Sequence, residues 1–454
     1  MKRYTSYKTT DQSWIDSIPD HWDFLRAKMI FDNPKEKNVG NKEKNVLSLT
    51  LRGVINNDIE NPIGLAPSDY STYQVFEKDD LVFKLIDLEN ISTSRVGIVP
   101  ERGVMSSAYI RFAPRTKINI RYFYLQYYDW WARRIFNGLG AGVRQTLSAT
   151  DLQNYKIAVP PRAEQDQIVR FLDWKVSQID RLIAGYQKEI ALLKERRVTI
   201  IDRAVTKGID PEAHFKPSDT NWMGEIPVHW DVHKTKQHFK IRKEIAGKEG
   251  YDVLSITQQG LKIKDIASNE GQMAKSYAGY QFVYPGDFAM NHMDLLTGYI
   301  GLSDCFGVTS PDYRVFTLTD TNNCLPEYYL YVFQLGYKRK IFYGLGHGAA
   351  NKGRWRLPAD NFKNYDIPVP PIDEQKQIVE FLNGKLIKLD AAIEGIDHQI
   401  SLLGEYRTRL ICDAVTGQID VRDVVIPEGT AAGDAPVFCN DADEGEVGMD
   451  ADEY

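Results

Sequence analysis

The chain contains the stretch NYKIAVPPRAEQDQIVRFLDWKVSQID at residues 154–180 and repeats it as NYDIPVPPIDEQKQIVEFLNGKLIKLD at residues 364–390. In both copies the paired prolines end extended structure and open a helix, with Glu164 and Glu374 in the favoured acidic first turn. Self-similarity at a spacing of about 210 residues is typical of one structural unit that occurs twice. The repeat therefore predicts two equivalent halves.

Other segments on either side of this stretch also recur. The clearest are YKTTDQSWIDSIPDHWD at 7–23 with FKPSDTNWMGEIPVHWD at 215–231, and RIFNGLGAG at 134–142 with KIFYGLGHG at 340–348. Elsewhere the copies diverge and show short Val, Ile, Tyr and Phe runs between turn residues, which favours β-rich domains with a few helices. Such helices are predicted at Arg121–Phe136 and Glu327–Phe342, with aromatic clusters packed in the core.

An apolar period of alternating four and three residues follows each double proline and predicts a coiled-coil seam. The seam positions are Leu172, Val176, Ile179, Ile183, Tyr186, Ile190 and Leu193 in the first copy and Leu382, Leu386, Leu389, Ile393, Ile396, Ile400 and Leu403 in the second. Arg197 and Arg407 interrupt the seams at equivalent places. An antiparallel pair separates these guanidinium groups and lets each reach water or a carboxylate, so an antiparallel coil is expected.

These observations predict an α+β fold with a pseudo-twofold internal repeat, in which two β-rich globular domains are joined by two long helices that pair as an antiparallel coiled coil. The predicted segments are a first globular domain at 1–155, a helical region at 156–212, a second globular domain at 213–365, a helical region at 366–420 and an acidic disordered tail at 421–454.

Charge is distributed unevenly along the chain. The formal net charge is −6, but the segment 421–454 has ten acidic residues against one arginine, so the rest of the chain carries +3. The acidic total therefore does not exclude a nucleic-acid partner. No apolar run has the length of a membrane span or follows the N-terminal charges as in a signal peptide, so a cytoplasmic location is expected.

Few residues suggest catalysis or metal binding. The FNGLG segment at 136–140 has the FxGxG pattern of a methyl-donor-binding turn, but it follows a helix-like run and is expected to be a glycine-rich loop near a partner. His229, His233 and His238 lack the glutamate of a zincin motif, and the four cysteines form no CxxC pair. We predict no catalytic residues, no metal site and no cofactor on this chain.

Basic and amide side chains in the predicted loops are the candidate DNA-binding residues. Arg, Gln and Asn match the edges of guanine and adenine, while Lys contacts phosphates. The candidates are Arg52, Ser94, Arg95, Arg144 and Gln145 in the first copy and Gln258, Gln259, Asn291, His292, Asn351, Lys352, Arg354 and Arg356 in the second.

Three features together resemble the DNA specificity subunit of type I restriction-modification systems. They are WMGEIPVHW at 222–230, the VPP, EQ and QIV elements at 159–169 and 369–379, and the duplicated organisation. The resemblance covers about Tyr4 to Asp420. It implies that each globular domain is a target recognition domain, which reads one half of a bipartite double-stranded DNA sequence through the major groove.

The same resemblance implies a set of partners. The helices are expected to space the domains and to dock two methyltransferase subunits, which bind S-adenosylmethionine and methylate adenine, and nuclease/translocase subunits join that core. The chain itself is then not an enzyme. Two alternatives stay open: a self-sufficient DNA adenine methyltransferase that uses FNGLG, and a scaffold or decoy that binds methyltransferase subunits without reading DNA.

Overall fold

The structure is a computed structural model that describes residues 2–427 apart from 59, 61–66, 68, 89–93, 141–145, 258–259, 267–273 and 349–354. The chain divides into two compact units. Unit 1 comprises Met1–Tyr186 and His398–Tyr454, and unit 2 comprises Gln187–Asp397. Neither unit coincides with one copy of the repeat, because each takes a part of both long helices.

Unit 1 contains the first β-rich domain. Its strands are β1 (Tyr7–Gln12), β2 (Ile15–Pro19), β3 (Asp23–Arg26), β4 (Phe31–Asp32), β5 (Leu47–Thr50), β6 (Gly53–Asn56), β7 (Gln74–Phe76), β8 (Leu81–Phe83), β9 (Val96–Ile98), β10 (Gly103–Met105), β11 (Ile110–Pro114) and β12 (Lys156–Val159). Its helices are a 3-10 turn (Ala27–Met29), α1 (Ile120–Ala132), α2 (Ile135–Leu139), α3 (Ala149–Asn154), the first part of α4 (Arg162–Lys207) and the last part of α9 (Ile372–Val415). The largest sheet is antiparallel, with strand order β4-β11-β8-β9.

Unit 2 repeats this arrangement. Its helices are the last part of α4, α5 (Thr235–His238), α6 (Pro326–Lys338), α7 (Ile341–Leu345), α8 (Ala359–Lys363) and the first part of α9. Its strands are β13 (Phe215–Pro217), β14 (Glu225–Pro227), β15 (Asp231–Lys234), β16 (Phe239–Arg242), β17 (Leu254–Thr257), β18 (Gly260–Ile263), β19 (Gln281–Val283), β20 (Asp287–Met290), β21 (Ile300–Leu302), β22 (Gly307–Thr309), β23 (Arg314–Leu318) and β24 (Asp366–Val369). The sheet β16-β23-β20-β21 has the same topology as its counterpart, which confirms the predicted α+β class and the internal repeat.

The helices predicted after the sheet are shorter than expected. Arg134 has φ 56° and Lys340 has φ 55°, so a left-handed residue separates α1 from α2 and α6 from α7. An α-helix cannot pass through such a residue. The prediction of single helices ending at Phe136 and Phe342 was therefore wrong in extent, whereas the burial of their aromatic side chains is confirmed.

In each unit, segments of α4 and α9 pair antiparallel. In unit 1, Gln167 near the start of α4 donates to the carbonyl groups of Val421 and Val424, which lie beyond the end of α9, while Asp180 contacts Arg407. In unit 2, Gly208 beyond the end of α4 lies beside Glu374 in the first turn of α9, and Arg197 contacts Asp390. The antiparallel pairing predicted from the seams is confirmed within each unit.

Burial along the seams is highest where the helices meet the globular domains. The fully buried seam residues are Leu172, Val176, Ile179, Ile183, Ile190, Leu382 and Leu386. The other seven are half-buried: Tyr186, Leu193, Leu389, Ile393, Ile396, Ile400 and Leu403. This gradient is expected because a two-helix pair covers an apolar stripe from one side only.

The two arginines that interrupt the seams each meet an aspartate. Arg407 donates to Asp180 at 2.7 Å, and Arg197 lies 3.3 Å from Asp390. The expectation that antiparallel pairing lets each guanidinium reach a carboxylate is confirmed. Of the two, the Arg407 side chain is much more deeply buried, at 9% exposure against 29% for that of Arg197.

The recurring Glu-Gln pair links each domain to the helix that follows it. Glu164 accepts hydrogen bonds from Tyr4 and contacts the His21 ring nitrogen at 2.9 Å, and Glu374 contacts His229 at 2.8 Å. The Gln165 side-chain oxygen accepts a hydrogen bond from the Asn119 amide at the start of α1. The Gln375 side-chain oxygen accepts the equivalent bond from the Leu325 amide at the start of α6. These contacts explain why the motif and the IPxHW segment recur together.

The folded part of unit 1 extends beyond the point where the tail was predicted to begin. Val421 is fully buried and Ile426 nearly so, both in the core of the first domain, and Asp420 donates its amide to the Lys2 carbonyl. The prediction of a disordered segment from residue 421 onwards is therefore wrong for residues 421–427. The apolar side chains of this short segment pack in the core, although the tail as a whole is acidic. Residues 428–454 lie outside the described part of the chain.

None of the described helices combines the length and the apolar character needed to cross a membrane.

Candidate nucleic-acid interface

Equivalent β-hairpins carry the first pair of predicted sites. Arg52 lies exposed in the turn between β5 and β6, while Gln258 and Gln259, between β17 and β18, lie outside the described residues. A Cβ atom added at Gly97 in β9 would lie 2.7 Å from Leu49, so the hairpin of unit 1 packs directly against this strand. The hairpin turn is thereby held on a rigid support.

Asn291, His292 and Arg356 are brought together in unit 2, although they lie far apart in the sequence. Asn291 and His292 follow β20, and the His292 carbonyl accepts the amide of Leu357 at 2.8 Å, next to Arg356. The Asn291 side chain accepts from the amides of Met293 and Asp294 and so shapes the turn. Arg356 is exposed.

Two further cations, Arg314 and Lys243, lie near His292 and were not among the residues predicted from the sequence. Burial lowers the pKa of His292 to about 4, and the charges of Arg314, Arg356 and Lys243 add to this effect. Arg314 is buried and donates to the Leu357 carbonyl, so it stabilises the turn. Lys243 is exposed just after β16. The site thus combines a neutral imidazole with exposed positive charge, which suits contact with a polyanion.

We expect the stability of unit 2 to depend on pH through His292. Because the folded-state pKa lies below the usual value of 6.5, the unfolded chain binds the extra proton, and stability falls as the pH drops from about 6.5 towards 4. The loss is about 2 kcal/mol after allowance for solvent screening. Denaturant unfolding across this range should show it, and His292→Leu should abolish this component. Leucine is the residue at the equivalent position 85, and an unchanged pH profile in this variant would contradict the assignment.

The corresponding loop of unit 1 has a different composition. Lys84 and Leu85 occupy the positions of Asn291 and His292, as the matching bond from the Leu147 amide to the Leu85 carbonyl shows. Ser94 and Arg95 are buried, and the Arg95 guanidinium donates to carbonyl groups that include Asp87 at 2.7 Å. Their prediction as DNA-contacting residues is corrected, because their polar groups bind the protein interior and support the loop.

The remaining candidates cannot be placed. Arg144, Gln145, Asn351, Lys352 and Arg354 lie outside the described residues. Their assignment stays a prediction.

The FNGLG segment at 136–140 is largely helical, so it is not the glycine-rich loop that was predicted. Residues Phe136–Leu139 belong to α2, which follows a helix rather than a strand, and Phe136 is buried in the core. The second copy is the same, with Phe342 buried in α7. A nucleotide-binding turn needs a strand before it and a helix after it.

Among the described residues one group could hold a metal ion, although the histidine and cysteine patterns predicted none. It consists of His238, Asp320 and Cys324. His238 lies far from Asp320 and Cys324 in the sequence, so no spacing motif could reveal the group.

The fold and these sites define a tandem α+β protein whose two domains carry different basic and amide side chains on equivalent loops. The family model for the type I restriction modification DNA specificity domain matches residues 24–192 and 230–401. The chain therefore belongs to this family.

Individual relatives agree with this assignment. The chain is 25% identical to the MjaX specificity subunit of Methanocaldococcus jannaschii over 298 residues, which are 62% of this chain and 63% of that protein. It is 22% identical to the EcoBI specificity subunit of Escherichia coli over 314 residues, 63% of this chain and 64% of that protein. The chain thus spans less than two thirds of the length of these relatives.

A solved structure supports the fold. It comes from work on complex assembly and conformational transition of the type I R-M system. Superposition of this chain on one chain of that structure gives a TM-score of 0.62 at 13% sequence identity and covers 88% of this chain and 99% of that chain.

Proposed function

We propose that this chain is the DNA specificity subunit of a type I restriction-modification complex. In this proposal each domain reads one half of a bipartite DNA sequence in the major groove. The observation that carries it is the contrast between the two copies: the Glu-Gln contacts and the helix pairing are the same in both units, whereas Lys84 and Leu85 of unit 1 are replaced by Asn291 and His292 in unit 2. Equivalent loops with different donors and acceptors can read different base pairs.

The proposal assigns catalysis to partner subunits. Two modification subunits would bind S-adenosylmethionine and methylate adenine, nuclease/translocase subunits would join them, and the complex would act in the cytoplasm. Support comes from α2, whose FNGL residues are helical and do not form a cofactor loop. The chain would then bind no cofactor and have no activity alone.

The long helices offer surfaces for such partners. Large apolar side chains are exposed on α4 and α9, namely Leu182, Leu192, Ile387 and Leu402. Large apolar side chains that stay exposed on a helix are candidates for contact with another protein. We propose that these helices dock the modification subunits and set the spacing between the half-sites.

The direct test compares the purified chain with the same chain bound to its modification subunits. The account predicts that the complex shifts duplex DNA and methylates adenine, and that the chain alone neither methylates DNA nor binds S-adenosylmethionine. Binding of S-adenosylmethionine by the chain alone would favour a self-sufficient methyltransferase. A complex that shifts no duplex would favour a scaffold or decoy.

Variants in the two units should act on different half-sites. Arg356→Ala is expected to weaken binding through the half-site of unit 2 by about 1–3 kcal/mol, because an exposed guanidinium in the reading loop is lost. Arg52→Ala, at the hairpin turn of unit 1, is the matched variant for the other half-site. Competition with duplexes altered in one half at a time measures both effects. Loss of discrimination in the same half for both variants would contradict the assignment.

A further inference from the structure

His238, Asp320 and Cys324 form a compact group at one corner of the second domain. His238 is the last residue of α5, while Asp320 and Cys324 lie in the loop between β23 and α6. The Cys324 Sγ and Asp320 Oδ2 atoms each lie 3.4 Å from the His238 Nδ1 atom, and the ligand atoms of all three residues lie within 4.8 Å of one another.

From this geometry we propose that the group is a Zn²⁺ site, with His238 Nδ1, Cys324 Sγ and an Asp320 carboxylate oxygen as ligands. Zinc–ligand bonds of about 2.0–2.3 Å in a tetrahedron place a nitrogen about 3.5 Å from a sulfur and about 3.3 Å from an oxygen. The separations in unit 2 match these values. Sulfur and imidazole ligands favour zinc over magnesium or calcium.

The surroundings of the group fit a bound ion. The His238 Nε2–H group can donate to His233 Nδ1, which lies 2.6 Å away on a parallel ring, and such a partner fixes the orientation of a metal-bound imidazole. Asn323 donates to both carboxylate oxygens of Asp320 and so holds this carboxylate in place, with the Oδ2 atom on the side of His238. Cys324 is 1% exposed and His238 6%. Water can supply the fourth ligand from the side of Asp320, which is partly exposed.

The first copy provides an internal comparison. Ile30 occupies the position in unit 1 that His238 occupies in unit 2. The Ile30 carbonyl accepts a hydrogen bond from the Arg115 amide, and the His238 carbonyl accepts the matching bond from the Thr319 amide. Strand register pairs Leu25 with His233, and the glutamine bonds to Asn119 and Leu325 pair Ile118 with Cys324.

Three apolar positions of unit 1 are thus replaced in unit 2 by side chains that bind metals or orient metal ligands. The loop that precedes α6 is also two residues longer than the loop that precedes α1, and it includes Asp320. An apolar corner needs none of these polar side chains for packing, since Leu25, Ile30 and Ile118 already pack against the core of unit 1. Because these three positions change together, the replacement favours a ligand-binding role for the polar side chains over unrelated substitutions.

Binding would follow simple chemistry. Cys324 would bind as a thiolate, so one proton passes to solvent when Zn²⁺ enters, and no oxidant or reductant is needed. The ion would fasten the end of α5 to the start of α6. The alternative is a metal-free hydrogen-bond chain through Asp320, His238 and His233.

The test measures zinc in the purified full-length chain, alone or with its partner subunits, by mass spectrometry after gel filtration. The proposal predicts about one zinc ion per chain, at least tenfold less in Cys324→Ser and in His238→Ile, and no change in Cys305→Ser. Cys305 is the other thiol of unit 2. His233→Leu should weaken zinc binding by about 10–100-fold, as expected for a partner of a metal ligand.

A second measurement does not depend on variants that fold. Added Co²⁺ should give the wild-type chain a thiolate-to-cobalt charge-transfer band and the strong visible bands of tetrahedral cobalt. Wild-type protein without zinc and without these bands would overturn the proposal in favour of the hydrogen-bond chain. Zinc retained in full by Cys324→Ser would also overturn it, because the ion would then lie elsewhere.

Discussion

Replacing Asp180 by asparagine is expected to lower the free energy of unfolding of unit 1 by about 3 kcal/mol. The Arg407 residue that contacts this carboxylate is only 8% exposed and lies at an apolar seam position. Removal of the negative charge takes away the Asp180 ion pair, which offsets part of the desolvation of this buried side chain. Chemical denaturation followed by circular dichroism measures the change.

The matched control is Asp390→Asn in unit 2. The Arg197 and Asp390 side chains are 29% and 56% exposed, so solvent already screens this pair and the expected cost is at most about 1 kcal/mol. The two variants make the same chemical change at equivalent places. Equal costs would contradict the conclusion that burial distinguishes the two pairs.

Truncation of the chain after Gly417 is expected to have the largest effect on stability. It removes Val421 and Ile426, which are buried in the core of unit 1, together with Val424, which packs against that core. Loss of three such side chains costs about 4–6 kcal/mol. Hydrogen bonds from Gln167 to two carbonyl groups of this segment are lost as well.

Truncation after Pro427 is the control, because it keeps the whole packed segment 421–427. It should change the free energy of unfolding by no more than about 0.5 kcal/mol. Thermal unfolding of both truncated proteins distinguishes the two outcomes. A stable protein that ends at Gly417 would show that the packed segment contributes little to unit 1.

Much of the fold could be predicted from patterns that repeat. The heptad seams gave the pairing of the helices, and the two arginines gave its antiparallel direction, because like charges at equivalent seam positions cannot face each other in a dry interface. Which segments of the chain form each unit could not be predicted in the same way. Tyr122 donates to the Val415 carbonyl at the end of α9, and Tyr328 donates to the Val205 carbonyl near the end of α4. Each unit therefore needs the helix of the other copy, a long-range contact that no local pattern encodes.

The structural surroundings of the candidate DNA-binding residues were predictable only in part. Residue type placed Asn291, His292 and Arg356 among the candidates, but it also selected Arg95, whose guanidinium turned out to bind backbone carbonyl groups of its own loop. The sequence pattern of a buried structural arginine is the same as that of an exposed one. The group His238, Asp320 and Cys324 was missed for a related reason, since folding alone brings these residues together.

In the proposed function each domain reads one half of a bipartite DNA target. The most direct measurement exchanges residues 1–155 for the equivalent domain of another family member and maps the methylated adenines produced with the modification subunits. The account predicts that one half of the target changes, while the other half and the number of base pairs between them stay the same. A change in both halves, or in neither, would contradict it.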